Sequence, residues 1–150
     1  MAHLPTGVTI VSAPGPEGPA GATANAVISV SLEPPLMLAS LDRGTRTLSA
    51  ISEAGAFGIS VLRAEHAELA RSFASRAPHT EKWHETPYTT RAGVPILDEA
   101  LAWVACELRE AYAEGDHVLL IGGVLELGGA DGDPLVFHRG GYRGLDGGLD

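Results

Sequence analysis

Apolar positions recur along the chain at two spacings, and the two alternate in blocks. Residues 6–13, "TGVTIVSA", alternate apolar with small polar residues as a strand does, and the Pro- and Gly-rich "PGPEGPAG" that follows enforces a turn. A second strand follows, led by the small or polar residues Gly21 to Asn25 and alternating after them through Ser29 and Ser31, so a hairpin with a long loop is expected. "LMLASLD", 36–42, is a compact apolar run that reads as a buried strand ending at the turn Asp42-Arg43-Gly44. The spacing then changes. "TRTLSAISEAG" sets Leu48 and Ile51 three apart, offers Thr45 or Thr47 as N-cap and ends at Gly55, which predicts a short helix with a left-handed cap.

"AFGISVL" reads as a further strand, and "AEHAELARSFAS", with His66, Leu69 and Phe73 at helical spacing, as a second helix. Residues 76–95, "RAPHTEKWHETPYTTRAGVP", carry three prolines and little periodicity, and predict a long, mobile surface loop over a site. Beyond Ile96 the pattern predicts two long strands meeting near Glu114-Gly115-Asp116, then a last strand in "PLVFHRGGY". "ALAWVACEL" also suits a helix by composition, but strand is the preferred reading. Six or seven strands with hairpin-like turns and two short helices predict a mainly β protein. Its antiparallel sheet would close into a small barrel with helices at the ends, which disfavours a parallel nucleotide-binding fold.

Composition narrows the function. A chain of 150 residues suits a single domain, 1–150, with one core. Its lone cysteine, Cys106, can form neither an internal disulfide nor a zinc cluster, which suits the reducing cytoplasm. No secretory leader or membrane-length apolar run is visible. The net charge of −9, without clustered basic and aromatic residues, makes nucleic acid an unlikely partner. It leaves room for a small phosphorylated ligand, because a few local donors can hold one phosphate. Motifs for nucleotide loops, serine hydrolases and zinc proteases are absent, and His79 and His84 lack a companion ligand set, so no metal site is expected.

Two stretches carry candidate chemistry. In "SLDRGTRT" a strand ends, a turn follows and a helix begins, so hydroxyls, Arg46 and free N–H groups converge where an anion could sit. Alone, the stretch reads first as a helix cap with a solvated arginine. In "GATAN" the small side chains would admit a flat heterocycle against the backbone, with the Asn25 amide at its polar edge. Alone, that stretch reads as a strand packed tightly on a neighbour. Together they suit the two ends of one phosphorylated heterocycle.

The ordered series "LPTGVTIVSA", "GATANAVISVSLEPPLMLASLDRGTRTL", "FGISVL", "LARSFAS", "GVPILDEALAWVACEL", "EGDHVLLIGGVLEL" and "PLVFHRGGYRGL" spans nearly the whole chain. It resembles the flavin reductase family of FMN-binding split barrels, the small components of two-component flavin monooxygenases. The resemblance implies a homodimer of Greek-key antiparallel split β-barrels binding FMN or FAD at the subunit interface. It also implies hydride transfer from NADH or NADPH to that flavin, and reduced flavin passing by diffusion to a partner monooxygenase. The cofactors carry such chemistry, so no catalytic triad is expected.

By the same resemblance, Thr23, Ala24 and Asn25 would lie along the flavin ring, followed by Ser40, Leu41 and Asp42. Thr45, Arg46 and Thr47 would hold the phosphate, Phe73, Ala74 and Ser75 would close over the cofactor, and Pro5, Thr6 and Gly7 would line the same pocket. His117 and His138 would border the nicotinamide, with Tyr142 beside them, although each histidine also has a purely structural reading in a turn or at a strand end. Ala26 stands where serine is frequent in the family. Two rival readings remain: an enzyme that retains its flavin and acts directly on an organic substrate, and a non-catalytic flavin- or haem-binding module.

Overall fold

The computed structural model of the chain describes residues 2–145. After β1 (Thr6–Gly7), β2 (Thr9–Ala13) pairs antiparallel with β3 (Ala20–Ala24) in the expected hairpin. All of β2 is buried, because it is covered on both faces. Its two hydroxyls are satisfied internally: Thr9 Oγ1 donates to Ala24 O at 2.7 Å and Ser12 Oγ to Pro95 O at 2.6 Å. The mixture of apolar and hydroxyl residues therefore suits a central strand.

The stretch from Gly21 onward, expected as one strand led by "GATAN", is two. It breaks at Asn25-Ala26 into β3 and β4 (Val27–Leu32), and the two pieces lie at opposite edges of a seven-stranded antiparallel sheet. Between them come β2, then β6 (Ala56–Val61), β9 (Ala102–Glu114), β10 (His117–Gly129) and β5 (Pro35–Asp42). The sheet curls without closing. Where its edges meet, the Ser40 N–H donates to Ala26 O at 2.9 Å, bridging β5 to the β3–β4 turn.

The long β9–β10 hairpin turns at Gly115-Asp116, as its sequence predicts, and the strand reading of "ALAWVACEL" holds. Inside the curl, Val11, Ala39, Ile51, Phe57, Ile59 and Leu120 form the main core. Cys106 is buried among them, and burial pushes its thiol up to about 12, which leaves it inert. Helix α1 (Arg46–Ala54) plugs one end of this core with Ile51. Its N-cap is Thr45, whose Oγ1 accepts from the Thr47 N–H, and its C-cap is Gly55 at φ 67°, whose N–H donates to Ile51 O at 2.8 Å.

A second core lies outside the sheet, where Val8, Ile10 and Leu62 meet Phe73 of α2 (Ala67–Ala74) and Trp83. Here the structure corrects the expected loop. Residues 76–95 contain helix α3 (His79–Trp83) and a hairpin of β7 (Tyr88–Arg91) with β8 (Val94–Leu97). Trp83 anchors them, packing edge-on to Phe73 at 5.0 Å and to Tyr88 at 5.2 Å. Pro78 and Pro87 precede α3 and β7, and Pro95 lies within β8, where its carbonyl accepts from Ser12 Oγ. The final strand is likewise a pair, β11 (Val136–His138) and β12 (Gly141–Arg143), which form a separate three-stranded sheet with β1.

Candidate functional site

The seam where the sheet edges meet opens into a cleft of about 870 Å³. One wall is the β3–β4 turn, Ala22 to Ala26, and the floor is the end of β5, Ser40 to Asp42. The start of α1, the Phe73–Arg76 stretch and α3 complete it, with His117 at the rim.

Each part has a local cause. At the end of β5, Asp42 Oδ1 accepts from the Gly44 N–H at 2.7 Å, and Asp42 O accepts from the Thr45 N–H at 3.2 Å. This turn delivers Thr45 and Arg46 to the cleft. Arg43 ties it to the β9–β10 turn, its N–H donating to Asp116 O and its Nη1 to Gly115 O, both at 3.0 Å. His117 pairs with Asp42 across β10 and β5, and its Nδ1 lies 2.7 Å from Asp116 Oδ1. That bond and the imidazole's charge hold the Asp116 carboxyl below its ordinary range.

On the β3 wall both readings of "GATAN" apply, to different residues. Gly21 and Thr23 face the helices. A Cβ on Gly21 would lie 2.9 Å from both the Phe73 and Trp83 rings, and Thr23 Oγ1 donates to Ala70 O at 2.6 Å. Asn25 and Ala26 line the cleft, and Asn25 Oδ1 is buried without a partner among the described residues. An acceptor desolvated in this way fits a ligand that carries an N–H donor.

The opposite corner is cationic. Arg46 donates from Nη2 to Ala77 O at 3.0 Å. Lys82 is 6% exposed and donates to Phe73 O at 3.1 Å, its one hydrogen bond among the described residues. An ammonium carries three donors, so Lys82 has capacity left for an anion. His79 Nδ1 accepts from the Gly21 N–H at 3.3 Å, which puts the ring proton on Nε2, a buried atom without a partner. Burial first, then Lys82 and Arg46, depress the His79 pKa, and burial, then Arg46, depresses that of Lys82. The two cations Arg46 and Lys82 and the N–H of a neutral His79, beside the N-terminus of α1 and within a chain of net charge −9, make a concentrated anion site.

The cleft thus gathers Thr23, Ala24, Asn25, Ser40, Leu41, Asp42, Thr45, Arg46, Phe73, Ala74, Ser75 and His117 from among the residues expected to serve the cofactor or its reductant. It does not include Thr47, which is fully buried in α1. Pro5, Thr6, Gly7, His138 and Tyr142 lie on or beside the β1–β11–β12 sheet and outside the cleft lining. There Tyr142 packs on Phe137 at 5.2 Å and under the Arg71 guanidinium at 5.3 Å, and burial raises its hydroxyl pKa against the opposing pull of Arg71. His79 and Lys82, with Arg76 and Gly44, are lining residues that the sequence reading missed. The spacing of His79 and Lys82, three apart beside Trp83, puts both on one helical face, but nothing in that spacing marks the face as lining a cleft.

Among the described residues no group of three or more His, Cys, Asp or Glu could hold a metal ion, and no helix is long and apolar enough to cross a membrane.

Known proteins match this chain over nearly its whole length. The flavin reductase like domain matches residues 1–146. An NADH-dependent flavin reductase of Rhodococcus sp is 37% identical over 149 residues, covering 97% of this chain and 83% of that protein. Among solved structures, BorF, the flavin reductase component of a bacterial two-component tryptophan halogenase, superposes with a TM-score of 0.89 at 37% identity over 96% of this chain and 92% of that one. The styrene monooxygenase flavin reductase of Pseudomonas putida S12 does so with a TM-score of 0.87 at 33% identity, over 99% and 96%.

Proposed function

Given that the chain belongs to the flavin reductase like domain family, we propose that it is an NADH-dependent flavin reductase that supplies reduced FMN or FAD to a separate monooxygenase. The observation that carries this reading is the cleft itself. A neutral wall with an orphaned acceptor, Asn25 Oδ1, faces a corner where buried Lys82 has one protein partner. A phosphorylated heterocycle with an N–H edge suits both ends.

A bound flavin would supply the hydride-accepting chemistry. The chain's own residues bind and orient. Asn25 accepts from the ligand's N–H, Lys82, Arg46 and His79 hold the phosphate, and Phe73 to Ser75 exclude water from one side. His117, held by Asp116, sits at the rim and positions the nicotinamide. The whole chain acts as a single domain in the cytoplasm. It works as a homodimer, for which the exposed apolar side chains Ile28, Val30 and Leu32 of β4 and Leu125 and Leu127 of β10 provide a face.

The test is NADH and NADPH consumption in air with added free FMN or FAD, together with the yield of released reduced flavin. Consumption should prefer NADH and rise with free flavin. His117→Ala should lower turnover about tenfold while leaving FMN affinity within a factor of about two. A tightly held flavin without nicotinamide oxidation would favour an enzyme acting on its own organic substrate, and absence of flavin binding would sink the proposal.

A further inference from the structure

A second cavity, of about 340 Å³, lies on the other side of Arg46 and His79, and both residues line it as well as the cleft. Its size is within the range of small-ligand sites, about 300–1,000 Å³. One wall is the β2–β3 loop, the "PGPEGPAG" stretch that the proposed flavin site does not use, folded back by the Gly18 N–H donating to Gly15 O at 3.3 Å. The other walls are the outer face of α1, with Ser49, Ala50 and Glu53, and the start of α3, with Pro78 and Thr80.

The lining is selective in character. Pro16, Ala20 and Ala50 offer apolar contact suited to the face of a purine. The carboxylates of Glu17 and Glu53 would repel a terminal phosphate there, yet they accept hydrogen bonds from ribose hydroxyls or an exocyclic amine. A neutral nucleoside fits and a free anion does not. At the boundary stand the Arg46 guanidinium and the neutral His79 imidazole, which line both spaces and offer N–H donors to a diphosphate that bridges them.

We propose that this cavity is the subsite for the adenosine half of FAD, joined to the cleft across Arg46 and His79, so that the chain binds FAD more tightly than FMN. The inference rests on the flavin reading of the cleft. Covalent continuity favours FAD: a flavin phosphate at the cationic corner has its next phosphate and nucleoside at this cavity's mouth.

The test fills the cavity from two sides with exposed positions, Ser49→Trp on α1 and Thr80→Trp on α3. Flavin fluorescence gives the dissociation constants of FMN and FAD for each variant and for the wild type. The expected result is a loss of roughly tenfold in FAD affinity in at least one variant, with FMN unchanged, which removes the preference for FAD. Unchanged FMN binding also reports an intact fold. If FMN binds and FAD affinity is unaltered in both variants, or if both flavins weaken in parallel, the subsite is wrong while the flavin reading stands. A rise in KM for NADH with FAD binding unaltered would reassign the cavity to the nicotinamide dinucleotide and overturn the proposal. If the wild type binds no flavin, the underlying reading falls and the subsite with it.

Discussion

The wall from Ala22 to Ala26 and the corner of Arg46, His79 and Lys82 face the same cleft but are built in opposite ways. The wall comes from one continuous stretch, is neutral, and gives up side-chain volume where a larger residue would pack. The corner is gathered from α1 and α3, is cationic, and has Lys82 buried with a single carbonyl partner. The wall therefore costs packing, and the corner costs desolvation of charge. Neither arrangement stabilises the empty protein, so each is best explained by what it binds. The wall answers to the shape and polar edge of a ring, the corner to its phosphate.

Substitution of one region at a time separates these roles. The largest effect is expected from Lys82→Met, which keeps the length of the buried stem and removes the charge. FMN affinity should fall about 10- to 100-fold, from loss of a hydrogen bond to a charged group worth ~1.5–3 kcal/mol. Riboflavin, which lacks the phosphate, should bind as before. The empty protein should become more stable by ~1 kcal/mol, a rise in Tm of about 2–4 °C for a chain of this size. Equal losses for FMN and riboflavin would mean that the corner does not hold the phosphate. Asn25→Ala attacks the wall and should show the converse: FMN and riboflavin both weaken, by about two- to tenfold, the worth of one neutral hydrogen bond. A loss confined to FMN would remove Asn25 from the ring site.

The same contrast explains what could be read from the chain. The wall and the turn after β5 were legible because each is set by adjacent residues: "GATAN" is visibly small, and Asp42, Gly44 and Thr45 form their turn and cap locally. The corner was not legible. Lys82 is buried and His79 half-buried where Trp83 packs on Phe73 against the bare backbone of Gly21, a contact between segments about sixty positions apart that no local pattern reports. Three prolines in 76–95 also suggested loop, whereas the tertiary packing of Trp83 supports helix and hairpin there. The antiparallel sheet was legible from alternation, but its break at Asn25-Ala26 was not, since the residues after it continue the same period. The histidines divide in the same way. His117 follows a turn that the sequence marks, whereas the placement of His138 depends on β11 pairing with β1 at the far end of the chain.

The smallest expected effect concerns protons at the corner. In the empty protein burial, Lys82 and Arg46 hold the His79 pKa below its ordinary 6.5. The unfolded chain therefore binds more protons than the folded one as pH falls through 6.5, and empty-state stability drops over that window and no further below the folded pKa. A bound phosphate offsets the two neighbouring cations, so the His79 pKa rises and binding takes up a proton at Nδ1, which gives up its bond from the Gly21 N–H. Wild-type FMN affinity should then gain as pH falls from 8 toward 6, opposed by the phosphate of FMN itself, whose second ionisation lies near pH ~6. His79→Gln retains an acceptor for the Gly21 N–H but cannot titrate, so the ratio of wild-type to variant affinity isolates the imidazole. That ratio should grow about threefold between pH 8 and pH 6 in fluorescence titrations. The variant's empty-state stability should also lack the wild type's decline below pH 6.5 in denaturant unfolding. A ratio that stays flat with pH would show that His79 shapes the corner without exchanging a proton there, leaving Arg46 and Lys82 as its only charges.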